Sequence, residues 1–234
     1  MVKYTELLTR LTDLTVATSP PVGLPERLCR ASQEILGADG AALTVRNTTA
    51  SRATVCTTDK VIARLANLQE VTGQGPCREA FQHGTYFTVD LDDRFDPRWP
   101  EFSRAARRAV GPATMYSFPI HPDGETFAVI SLYTVPDKDL AESTGDAQFL
   151  FDAAGKALLG DAAAHARLEL AGAWSSHAEV HQACGMVVAQ LHVAPDDALA
   201  ILRAHAYART ITLADTARRV IDRELDFRPR PFNR

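Results

Sequence analysis

Ala113-Thr-Met-Tyr-Ser-Phe-Pro-Ile120 and Thr126-Phe-Ala-Val-Ile-Ser-Leu-Tyr-Thr134 stand on either side of His121-Pro-Asp-Gly124. Both arms are rich in aromatic and β-branched residues, and Pro-Asp-Gly is turn chemistry. The stretch therefore predicts a β-hairpin. Toward the N-terminus, residues 40–46 and 51–57 predict a second strand pair, and residues 86–89 a fifth strand. Helical stretches lie between them: 24–36 ending at Gly37, 59–70, a short helix from Pro76 to Gln82, and one opened by Asp96-Pro-Arg-Trp-Pro100. Strands joined as hairpins and interleaved with helices give an α+β fold, an antiparallel sheet with helices packed on it.

Beyond Ser143 the pattern becomes helical and alanine-rich. Phe149, Ala153, Ala157, Gly160, Ala164, Arg167 and Ala171 fall on one narrow seam, flanked by Leu150, Leu158 and Leu168. Small residues on such a seam suit close helix pairing. With the stripe Leu7, Leu8, Leu11 and Leu14 near the N-terminus, it predicts a homodimer whose terminal helices bundle. The alternative is a helix packed on its own sheet. Three further helices follow. Pro195 stands at the first position of the second, with Asp196 and Asp197 facing the helix dipole. Thr212 can cap the third, with Asp215 at the capping-box distance. Their apolar core (Ala198, Ile201, Leu202, Leu213, Ala217, Val220, Ile221) is small, so docking onto the preceding long helix is expected. The expected division is an N-terminal helix over 1–18, the sheet domain over 19–142, a connecting helix over 143–173, the three-helix domain over 174–227 and a basic tail over 228–234.

Net charge is -4, which argues against a general nucleic-acid binder, yet it is uneven. From Ala173 onward eight arginines face seven acids, leaving that part mildly basic and the rest acidic. No apolar run approaches the roughly 20 residues of a spanning helix, and the first residues do not read as a signal peptide. A cytoplasmic protein without a membrane partner is expected. None of Cys29, Cys56, Cys77 and Cys184 is paired at CxxC spacing, so neither a zinc knuckle nor a disulfide framework is indicated. His177 and His181 share a helical face but lack the context of a metal motif. Asp90 and Asp96 sit at turn positions without a partner for acid–base work. Gly73-x-Gly lacks the Lys-Ser/Thr sequel of a phosphate loop. Trp99 reads as an anchor of its helix on the sheet. No enzyme, metal or cofactor is expected. Cys77 is the residue with two readings. Just inside a helix start, free amides can depress a thiol's pKa and make it a redox or ligand residue, whereas most lone thiols are structural.

The C-terminal helices resemble the ANTAR family of transcription antitermination regulators. The resemblance rests on Gln182-Ala-Cys-Gly-Met186, Pro195-Asp-Asp-Ala-Leu-Ala-Ile-Leu-Arg203 and Thr212-Leu-Ala-Asp-Thr-Ala217, in the family's order and spacing. Cys184 stands where a basic residue is common, Val188 where methionine is common, and Ala194 where a capping serine is usual; the lost cap costs roughly 1 kcal/mol. The N-terminal part resembles GAF domains, particularly those fused to ANTAR units in actinobacterial regulators. Here the matching stretches are Gly73-Gln-Gly-Pro-Cys77, Val89-Asp-Leu91, Asp96-Pro-Arg-Trp-Pro-Glu-Phe102, Ser117-Phe-Pro-Ile120 and Ile130-Ser-Leu-Tyr133. The resemblance implies a GAF sensor for an unidentified small molecule and an ANTAR surface for structured RNA, namely hairpin loops. That surface would comprise Arg203, His205, Ala206, Tyr207, Arg209, Thr210 and Thr212, with Leu213 beside them. Arginines suit phosphate or base edges, Tyr207 offers a stacking ring, and Ala206 would let a nucleotide approach closely. The rival readings are a ligand- or redox-sensing GAF regulator acting through protein partners, a thiol-dependent reductase using Cys77, and a DNA-binding helix-turn-helix protein.

Overall fold

The structure, a computed structural model, describes residues 2–17, 22–46, 52–92, 96–122, 124–160 and 176–228. The expected hairpin forms its centre. Strand β4 (Thr114–Ile120) pairs antiparallel with β5 (Ala128–Thr134), Ser117 opposite Ser131 and Phe118 opposite Ile130. On its other edge β5 pairs with β1 (Gly40–Arg46), which pairs with β2 (Arg52–Thr57); β3 (Phe87–Asp90) closes the far edge on β4. The order is β2-β1-β5-β4-β3, every neighbour antiparallel. All seven residues of β5 are buried, which explains why it reads as a nearly unbroken apolar run: both of its faces are covered.

The period-two alternation of β5 separates the two faces. Ala128, Ile130 and Leu132 join a core with α1 (Val2–Ala17), α2 (Leu24–Leu36) and α6 (Thr144–Gly160). Tyr133 joins a second core with α3 (Lys60–Thr72) and α5 (Pro100–Val110), where Phe102 and Trp99 are buried. Val129, on that same side, packs with Cys77, Ala80 and Phe81 of α4 (Pro76–His83). Trp99 is thus the expected anchor, lying edge-on to Phe87 and beneath the Arg98 guanidinium.

The buried side of α6 is Ala147, Leu150, Phe151, Ala154, Gly155 and Leu158. The helix does pack on its own sheet, through a stripe beside the predicted seam. Of that seam, Phe149 and Ala153 are half-buried, and Ala157 and Gly160 are exposed; Ala164, Arg167 and Ala171 lie outside the described residues. Helix α1 lies alongside, Tyr4 against Phe149 at 4.2 Å and Lys3 Nζ 2.5 Å from Asp146. Leu7 and Leu11 face inward, while Tyr4 and Leu8 face outward.

The C-terminal unit is α7 (Ser176–Leu191), α8 (Pro195–Arg209) and α9 (Leu213–Ile221). Helices α7 and α8 are bent by 106°, with His192 at positive φ beside the break. Val180, Ala183, Val187, Ala198, Leu202, Ala206, Leu213, Ala217 and Val220 form a small-residue core. Its further member is Val71 of α3. The observed docking is therefore on the sheet domain, where the sequence pointed to the preceding long helix; residues 161–173 of that helix lie outside the described residues. Among the described residues no single helix is long and apolar enough to cross a membrane.

Candidate nucleic-acid surface and interdomain cavity

Helix α8 begins after Ala194, which offers no side-chain cap, and ends at Thr210 in the left-handed region at φ 56°. The Thr210 and Ile211 N–H groups donate back to Tyr207 and Ala206 carbonyls, satisfying the helix end. Thr212 then caps α9: its Oγ1 accepts from the Asp215 N–H at 2.9 Å and donates to Asp215 Oδ2 at 2.7 Å. These two caps shape a three-residue corner between the helices. Arg209 and Thr210 are exposed on it, Tyr207 is 40% exposed beside it, and Thr212 is half-buried.

The other predicted surface residues are placed differently. Ala206 is fully buried, its methyl group packed in the three-helix core and not on the exposed corner. Leu213 is likewise buried. His205 is half-buried and edge-on to Phe227 at 5.6 Å, its Nε2 without a hydrogen-bond partner. Burial, then Arg209 and Arg219, pull its pKa below the ordinary value, so it is neutral near pH 7. Arg203 turns toward the sheet domain: a methyl group on Gly73 would lie 3.3 Å from its Nη1. With Tyr207 one turn later, it lines an open cleft of about 310 Å³ against Val71, Thr72 and Glu101.

Arg203 also lines a more enclosed cavity of about 150 Å³ between the two units, which sequence reading missed. Arg52 of β2 and Arg78 of α4 converge on it, with Thr44, Gln69 and Cys77 around them. None of the three arginines makes an ion pair among the described residues; Arg52 lies over the Phe81 ring, and Arg78 reaches only the Gly73 carbonyl. Burial first, and then other arginines, lower the pKa of Arg52 and Arg203, though a guanidinium stays charged. Glu70 lines the same cavity; its surroundings push its pKa up, with Arg203 opposing. These residues are far apart in sequence, and the local signal was the Gly73-Gln-Gly-Pro76 loop, which marks a close backbone approach. Gly75 has φ 130°, and a side chain there would collide with Gln69.

Cys77 occupies the expected helix start, but its thiol is not activated. The Cys77 N–H is taken by Gln69 Oε1 at 2.8 Å, and burial pushes the thiol up to about 11 despite Arg52. Of the two readings of Cys77, burial favours the structural thiol: desolvation outweighs the helix amides. Cys184 lines the same cavity, whereas Cys29 and Cys56 are neighbours elsewhere. Asp96 accepts from the Arg98 N–H and guanidinium and so holds its turn, whereas Asp90 accepts from the hydroxyl of Thr114, its partner across the β3–β4 pair. Among the described residues no group of three His, Cys, Asp or Glu side chains could hold a metal ion; the His177 side chain lies outside them.

The GAF domain family model matches residues 25–170, more than half of the chain, and the ANTAR domain family model matches residues 168–221. No curated protein matches the sequence. Among solved structures, the chain is similar to the GAF domain from a phosphoenolpyruvate-protein phosphotransferase of Coxiella burnetii, at 17% identity over 72% of this chain and 98% of that one, with TM-score 0.47. It is also similar to a GAF domain/HD domain protein from Geobacter sulfurreducens, at 12% identity over 69% and 99%, TM-score 0.45. A third is free methionine-R-sulfoxide reductase from Neisseria meningitidis, at 15% identity over 72% and 89%, TM-score 0.39. Likenesses of this size carry no argument about chemistry. The chain belongs to the GAF domain family, and its C-terminal part is an ANTAR domain.

Proposed function

We infer that the protein is a signal-responsive, non-catalytic regulator whose GAF domain receives a signal and whose ANTAR domain binds RNA hairpin loops to promote transcription antitermination. The observation that carries this reading is the α8–α9 corner. Exposed Arg209 and Thr210 stand beside half-exposed Tyr207, at the amino end of α9. A cation, a stacking ring and helix-terminal amides together suit an unpaired, splayed-out nucleotide. His205 and Arg203 contribute less in the arrangement described, being turned inward.

The exposed Tyr4 and Leu8 of α1, together with Ala157, Leu159 and Gly160 of α6, support pairing of two copies along these helices. A dimer would present two corners to two loops of one transcript. Gel shifts of the full chain with hairpin RNA test the reading. Arg209→Ala and Tyr207→Ala are each expected to weaken binding about tenfold. Binding indifferent to both changes, or duplex DNA preferred at matched salt, would remove the assignment.

A further inference from the structure

We propose that the cavity between the GAF and ANTAR domains binds a phosphate-bearing small molecule through Arg52, Arg78 and Arg203, and that its occupancy latches the two domains together. Three half-buried guanidiniums from three separate elements line one partly enclosed space of about 150 Å³, and none is ion-paired among the described residues. Arg203 Nε is moreover buried with no hydrogen-bond partner there. Bringing unpaired cations together out of water is unfavourable unless an anion offsets it. Planar guanidinium forks match phosphate oxygens bidentately, which makes phosphate the fitting class.

Charge narrows the class. Three fixed positive charges face one carboxylate, Glu70. The surplus is two. A phosphate monoester brings roughly -1.5 to -2, whereas a single carboxylate would leave half of the surplus unmet. The volume suits a phosphoryl group with little attached, and the Thr44 and Thr54 hydroxyls on the sheet side, bonded to each other at 3.1 Å, leave one proton to donate to it.

The site is composite: Arg52 and Arg78 belong to the GAF domain and Arg203 to the ANTAR domain. A ligand held by all three favours the docked arrangement by its differential affinity for it. Bound phosphate would therefore keep Arg203 against the sheet domain and away from nucleic acid. That last consequence alone rests on the RNA reading above.

The test titrates inorganic phosphate into the full chain at constant ionic strength, reading binding heat and hydrogen exchange along α8. One saturable site is expected, with exchange of α8 slowed on binding. Arg52→Ala, Arg78→Ala and Arg203→Ala are each expected to raise the dissociation constant about tenfold or more, while Arg30→Ala, on α2 and paired with Glu26, leaves it unchanged. Arg203→Lys, which keeps the charge but not the fork, should fall between wild type and Arg203→Ala, a ranking that misfolding does not produce. Non-saturable binding, or equal binding by all variants, would overturn the site. Saturable binding indifferent to Arg203 would place the anion in the GAF domain alone and overturn the latch. None of these readouts uses RNA, so failure here and failure of the RNA assignment are separately visible.

Discussion

Arg203 of the ANTAR domain rests against Gly73 of the GAF domain, its Nη1 3.3 Å from where a Gly73 side chain would begin. Gly73 is also the left-handed residue that ends α3, at φ 66°. Gly73→Ala therefore meets two penalties, a conformation L-residues disfavour and a crowded guanidinium. A loss of about 1 kcal/mol or more is expected from the backbone alone, measured by denaturant unfolding. Through this contact, α8 should also exchange amide hydrogens faster in this variant.

Cys77 provides a pH prediction. With the thiol pushed up to about 11, the thiolate fraction at pH 8 is on the order of one in a thousand. Alkylation of the native protein at that pH should be slow at Cys77 and should rise about tenfold per pH unit toward 11. Mass spectrometry of labelled peptides reads this directly. Rapid labelling near pH 7 would restore the reactive-thiol reading.

The helix starts of the ANTAR domain differ in a way that mutation can measure. Thr212 caps α9 through Asp215, so Thr212→Ala should cost about 1 kcal/mol. Ala194 has the backbone of a cap, at φ -68° and ψ 155°, without the side-chain acceptor. Ala194→Ser should therefore stabilise α8 by about 0.5–1 kcal/mol. Thermal unfolding of the full chain, followed by far-UV circular dichroism, should show opposite shifts for the two variants.

Much of the fold was legible because the central strands announce themselves. The residues of β5 are buried on both faces, and its sequence is correspondingly apolar throughout. The α2 terminus was equally plain, since Gly37 takes the left-handed conformation that glycine permits. The connecting helix was harder. Its seam of small residues is real, yet the side chain on the sheet that demands a small neighbour is Ile120, and the residue facing it is Gly155. A helix carrying alanines on most faces does not reveal which face is buried. The interdomain cavity was illegible for another reason: Arg52, Arg78 and Arg203 gather only through tertiary packing. Ala206 was misplaced because the same small side chain suits either a close ligand or a close helix.

Acid should loosen α1. Lys3, and then Ser143, hold the Asp146 carboxyl below its usual value of 3.8. The folded state thus binds this proton less readily than the unfolded chain. The associated stability is present above the unfolded pKa and is lost as pH falls through the lower folded one. In Lys3→Met the Asp146 pKa should move up toward 3.8, and the acid-side loss of stability should shrink. Carboxyl NMR titration tests the first, and thermal unfolding across the acid range the second. An unmoved Asp146 pKa would show that Ser143 alone sets it.

Val71 belongs to α3 of the sheet domain, yet its side chain completes the hydrophobic core of the three C-terminal helices. Prising the domains apart must wet that valine, a cost of about 1.5–3 kcal/mol for one aliphatic side chain. This burial favours closure, and the three unpaired guanidiniums oppose it until an anion offsets them. The same valine makes the C-terminal helices poor candidates for life as an excised fragment, since cutting them free removes a wall of their own interior.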